Sequence, residues 1–149
     1  MAPLVGSGLW FGTSSRGFGV FAIGNTTLTT NIFTYANAAV SASTNLTANL
    51  SYGAATGNLT EGVFAIGNST TTTNIFTYSN AAVAASTNLT AIFAGGAAAG
   101  NSTEGVFAIG SGTTTTNIFT YSSAAVATST TLTADSVHGA AASSSPGGF

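Results

Sequence analysis

The sequence is nearly without charge. One basic residue, Arg16, stands against three acidic ones in 149 positions, and charged residues make up 3%, where a soluble domain carries about 25%. A single cation leaves no electrostatic footprint for phosphate, which excludes nucleic-acid binding. Cysteine is absent, which removes disulfide frameworks and thiolate metal sites. No apolar run is long enough for a membrane-spanning helix, so no membrane insertion is expected. Met1 to Phe11 has no basic segment and no continuous apolar core, so no signal peptide is read there. Acid–base or nucleophilic catalysis needs several polar groups tuned in one pocket. The ionisable inventory is Arg16, Glu61, Glu104, Asp135 and His138, so the expectation is a protein that is not an enzyme, with no cofactor and no metal.

What is present is apolar and polar-neutral. The chain is 44% hydrophobic, with ten Phe and four Tyr. Disordered chains are rich in charge and poor in such residues, so this one is expected to fold, and its length fits one domain.

Repeats set the organisation. The string GVFAIG begins at Gly19, Gly62 and Gly105, and NIFTY begins at Asn31, Asn74 and Asn117, both stepping by 43 residues. In the middle copy, Gly62 to Gly67 reads as a short strand bracketed by glycines. Thr72 to Tyr78, rich in β-branched and aromatic residues, reads as a second, with Ile75 and Thr77 on one face and Phe76 and Tyr78 on the other. Ala82 to Thr87 reads as a third strand, Leu89 to Ala94 as a fourth, and Ala97 to Asn101 as a linker. The expected fold class is therefore all-β, with three four-stranded repeats at 19–61, 62–104 and 105–149, preceded by an extra strand and anchor in 1–18.

The order of a glycine-bounded strand, an aromatic strand, a Ser/Thr strand and a small-residue passage into NSTEGVF resembles kelch-like β-propeller blades. It is especially similar to the degenerate Gly/Thr/Asn-rich repeats of tailed-phage virion structural proteins, over residues 17–149. The resemblance implies that Gly62 to Gly67 and its equivalents line a central channel, and that the role is scaffolding or recognition. Closed propellers contain about four to eight blades. Three blades would leave two bare faces; if each exposes roughly 400 Å² of apolar area, on the order of 10 kcal/mol is left ungained per face. Closure by a homo-oligomer, two chains forming one ring, is the simplest symmetric solution. A β-trefoil or β-prism closing within one chain is the alternative, and a stacked β-filament is a third.

The functional expectation is a structural or assembly protein, a virion component such as a decoration, tail or fibre-associated subunit, located in a virion or extracellular assembly. Its partners would be further copies and other virion proteins. The alternative is a carbohydrate-binding module that recognises surface glycans. The candidate interaction residues are Trp10 and Phe11, ahead of the repeats, and Tyr35, Tyr78 and Tyr121, the last residue of each NIFTY. Glu61 and Glu104 occupy equivalent places and would share one rim. Asp135 and His138 lie three apart without further ligands. Seven N-x-S/T matches (Asn25, Asn45, Asn49, Asn58, Asn68, Asn88, Asn101) read mainly as repeated turn chemistry.

Overall fold

Alternating β-branched and aromatic residues between Gly/Asn/Ser turns produce antiparallel meanders. The fold comes from a computed structural model of the chain, which describes residues 17–143. These form eleven strands in three sheets. The first sheet is β1 (Phe18–Ala22), β2 (Thr30–Thr34) and β3 (Ala39–Ala42). The second is β4 (Ala54–Gly57), β5 (Glu61–Ala65), β6 (Thr73–Thr77) and β7 (Ala82–Ala85), and the third is β8 (Ala97–Gly100), β9 (Glu104–Ala108), β10 (Thr116–Thr120) and β11 (Ala125–Thr128). Every pairing is between sequence neighbours and antiparallel. The fold class is all-β. The expected extra strand in 1–18 lies almost wholly outside the described residues, as do Trp10 and Phe11.

Two expectations within the repeat need correction. Leu89 to Ala94 is not a strand: it drops Leu89 and Phe93 into the core, 3% and 0% exposed, and carries only isolated bridges, Thr70 to Phe93 and Ala94 to Gly110. The fourth strand is instead Ala97–Gly100, the passage read as a linker. It pairs with the strand that follows it, so each complete sheet takes its first strand from the end of the preceding sequence repeat. The edge that approaches a neighbouring sheet most closely is accordingly β4, against β8 and β9, rather than the GVFAIG strand.

Register explains how the sheets pack. Val63 lies opposite Ile75, Phe64 opposite Asn74, and Gly62 opposite Phe76, and residues directly opposite point to the same face. One face of the middle sheet therefore carries Phe64 and Phe76, which join Leu46 and Leu50 of the first unit in one core cluster. The other face carries Val63 and Ala65, which join Leu89 and Phe93 and meet Phe107, Ile109, Phe119 and Tyr121 of the third sheet in a second cluster. The middle sheet is thus covered on both faces.

The sheets are not evenly spaced along their edges. Tyr52 and His138 occupy equivalent positions two units apart, yet their ring centroids are 5.8 Å from one another. Gly95 holds the same position in the unit between them and donates its N–H to the Tyr52 carbonyl at 3.0 Å. One sheet spacing would be about 10 Å in a parallel stack, while Phe93, Phe107 and Phe119 fill the space between the faces, so the second and third sheets converge at this edge and fan apart from it. The three sheets form no closed barrel or ring among the described residues.

Turns between strands use the left-handed region repeatedly. Ala38, Ala81 and Ala124, one per unit, all have φ between 51° and 54°. Gly67 has φ 68°, and a Cβ there would collide with the Ser51 carbonyl oxygen, so both conformation and space require glycine.

Candidate interaction surfaces

The two internal junctions are built alike. NIFTY supplies an Asn that a strand would ordinarily disfavour, and in the second and third sheets it is fully buried. Asn74 Oδ1 accepts from the Thr47 N–H at 2.8 Å and from Thr47 Oγ1 at 3.1 Å, while Nδ2 donates to Thr47 Oγ1 and to the Thr73 carbonyl, both at 2.8 Å. Asn117 makes the same set with Thr90 and Thr116, with lengths of 2.8, 3.1, 2.8 and 2.9 Å. Each Asn fills its donor and acceptor capacity and fastens its sheet to the unit before it. The sequence reading missed this role. Its signal was the pairing of a recurrent Asn with the recurrent Leu-Thr at Leu46-Thr47, Leu89-Thr90 and Leu132-Thr133.

Among the described residues, position-by-position exposure identifies what lacks a cover. Phe64 and Phe107 are 4% and 0% exposed, whereas Phe21 is 55% exposed; Ile66 and Ile109 are each 1%, whereas Ile23 is 52%. At the other end Val63 is 0% and Leu89 is 3% exposed, against 36% for Val106 and 39% for Leu132. The first sheet therefore shows solvent the face that the second and third sheets bury. The third unit shows solvent the opposite face.

The three candidate tyrosines occupy one structural position in different surroundings. Tyr121 is buried against the second sheet, its hydroxyl 2.9 Å from Thr56 Oγ1 and 3.0 Å from where a Cβ at Gly105 would stand. Tyr78 is half-buried, edge-on to Phe18 with ring centroids at 5.2 Å. Tyr35 is exposed beside Phe33. They do not share one environment: Tyr121 and Tyr78 stand at successive junctions and Tyr35 lies on the exposed face of the first sheet. Burial raises the Tyr121 hydroxyl above its ordinary value, opposed by the Thr56 hydrogen bond and assisted by the Glu61 charge. Burial also raises Tyr78, with smaller contributions from Tyr121 and Glu61.

Glu61 and Glu104 do come together. They line one cleft of about 330 Å³ between the second and third units, with Thr60, Thr103 and Tyr121. Asn58 lies in its wall, and Asn101 forms the matching turn ahead of Glu104. Asn58 Oδ1 accepts from the N–H groups of Thr60 and Glu61 at 2.8 and 3.0 Å, and Asn101 does the same for Thr103 and Glu104 at 2.8 and 2.9 Å. Those two sequon asparagines thus serve as turn formers. Glu61 Oε1 is covered and has no hydrogen-bond partner, and burial raises its carboxyl above the usual carboxylate value. Asp135 and His138 are both exposed, His138 against Tyr52. Among the described residues no three His, Cys, Asp or Glu side chains are grouped to hold a metal ion.

Neither protein-family models nor curated proteins provide a match to this chain.

Proposed function

We propose that this chain is a non-enzymatic structural subunit whose open faces are covered in a larger assembly. The observation that carries this is the exposure, at the ends of the stack, of Phe21, Ile23, Val106 and Leu132, whose counterparts Phe64, Phe107, Ile66, Ile109, Val63 and Leu89 are buried inside it. Fully burying a large apolar side chain is worth about 1.5–3 kcal/mol. Covering the exposed portions of Phe21, Ile23, Tyr35, Val106 and Leu132 therefore contributes on the order of 5 kcal/mol per junction. Association costs an estimated 4–15 kcal/mol in lost rigid-body freedom, so one junction is marginal. Two junctions made in a single closed pair double the gain against one such cost, which favours ring closure over an open chain.

The fanning of the sheets from the edge at Tyr52, Gly95 and His138 supports the kelch-like blade reading, with copies completing a ring. The sequence resemblance supports a tailed-phage virion as its setting, as a decoration, tail or fibre-associated component. A surface of Ser, Thr, Asn and Gly suits close packing because it forms hydrogen bonds without burying charge. Light scattering over nanomolar to 100-micromolar concentration tests the assembly reading. Multiples of the 14.5 kDa chain mass are expected, and a compact single chain throughout would overturn it.

A second reading is favoured by the Glu61–Glu104 cleft, whose carboxylates, threonines and tyrosine are suitable partners for sugar hydroxyls. In that case the protein binds surface glycans. Glycan binding by the purified chain that is lost on Glu61→Gln with Glu104→Gln would support it, and absence of binding to a broad glycan panel would remove it.

A further inference from the structure

Resting on the assembly reading, we infer that copies of this chain join head to tail in the register of the internal junctions. The first-sheet face of one copy, with Phe21, Ile23 and Tyr35, seats on the third-unit face of a second copy, with Val106 and Leu132. Asn31 of the first then reaches Thr133 of the second as Asn74 reaches Thr47 and Asn117 reaches Thr90 within the chain.

The basis is continuity with an interface the molecule makes twice. On the inserting side every element is retained: Phe21, Ile23, Phe33, Tyr35 and Asn31 have the identities of Phe64, Ile66, Phe76, Tyr78 and Asn74. On the receiving side Val106, Leu132 and Thr133 repeat Val63, Leu89 and Thr90. Thr133 is exposed and Asn31 is half-buried. Two departures mark this junction as a variant of the internal ones. Ser136 replaces Leu50 and Phe93, and Ala99 replaces Thr56. Glu104 stands where Phe18 and Glu61 stand; Phe18 packs on Tyr78, and the Glu61 charge acts on Tyr121. Glu104 accordingly faces Tyr35 of the neighbouring copy.

Pairing of like faces is the competing arrangement. It would leave neither Asn31 amide with the Thr N–H and hydroxyl that complete the internal set. Buried amide groups left without partners are costly, so unlike faces are favoured. Because the sheets fan, successive head-to-tail junctions curve and can close instead of propagating as a fibre.

The chain contains no cysteine, so engineered thiols report this contact without background. Asn31→Cys and Thr133→Cys are made in separate full-length chains, mixed and oxidised with diamide, and read on a non-reducing gel. The internal pair Thr47→Cys with Asn74→Cys in one chain serves as the geometric control and is expected to form an intrachain disulfide. The mixture is expected to give a two-chain band at several times the level of either variant alone. A cross-linking internal control with no hetero-specific band overturns the register. If that protein is nonetheless oligomeric by light scattering, the assembly reading stands while this inference fails. If the chain is monomeric, both fail. Strong self-linking of Asn31→Cys alone would show that like faces pair.

Discussion

Replacing the buried Asn74 tests whether the polar fastening between units matters as much as its geometry implies. Asn74→Ala removes four hydrogen bonds, each worth about 0.5–1.5 kcal/mol net. The loss is below their sum because Thr47 is exposed and its N–H and hydroxyl regain water, while the Thr73 carbonyl and the vacated volume do not recover so easily. The expected cost is about 2–4 kcal/mol, a large share of a typical domain stability of about 5–15 kcal/mol. Urea unfolding followed by circular dichroism, at one fixed protein concentration, measures it. Asn117→Ala should cost the same within about 0.5 kcal/mol, since its bonds match to 0.1 Å. Thr47→Val combined with Asn74→Ala should show a coupling of about 1–2 kcal/mol. Asn74→Asp should be worse than alanine at neutral pH, because its second oxygen faces a carbonyl, and should recover as acid protonates it. A loss under about 1 kcal/mol with additive Thr47 and Asn74 effects would refute the reasoning.

Four further outcomes follow from described contacts. Phe64→Ala should cost about 3–5 kcal/mol in chemical unfolding, whereas Phe21→Ala should leave the subunit folded by circular dichroism while weakening self-association at least tenfold by light scattering. Tyr121→Phe, which strands Thr56 Oγ1, should cost about 1 kcal/mol. It should also reduce the stability lost above pH 10, because the raised Tyr121 ionises more readily in the unfolded chain. The Glu61 carboxyl, raised in the folded protein, contributes stability that is full below its ordinary value and is lost as pH climbs through the raised one; Glu61→Gln should flatten that acid-range slope in thermal melts. Gly67→Ala, facing both a positive φ and the Ser51 carbonyl, should cost about 2 kcal/mol or more.

Much of the architecture was legible from the 43-residue step. The strands around GVFAIG and NIFTY announce themselves because alternating Val, Phe and Ile fit a sheet covered on both faces. The fourth strand was hidden for a physical reason. Ala97, Ala98, Ala99 and Gly100 have no β preference of their own, and their strand conformation comes from the ladder with β9 and from the closeness of β4, which only small side chains permit. Leu89 and Phe93 misled in the opposite direction: apolar like a strand, they lie four residues apart and act as plugs beneath a loop. The tyrosines share one position of the repeat, but sequence could not separate the exposed Tyr35 from the half-buried Tyr78 and the buried Tyr121, because the difference is set by neighbouring units. The pairing of Glu61 with Glu104 followed from repetition. The asparagine fastenings required knowing that residues 27 apart meet.

Since each complete sheet takes its edge strand from the repeat before it, the units overlap like shingles, and no cut between GVFAIG repeats releases two finished sheets. Peptide-bond cleavage ahead of Glu61 or Glu104 would leave one fragment carrying an orphaned edge strand and the other a sheet short of one. Whole units could nonetheless be gained or lost in steps of one repeat, because such an exchange recreates the same overlap and leaves the outermost surfaces unchanged.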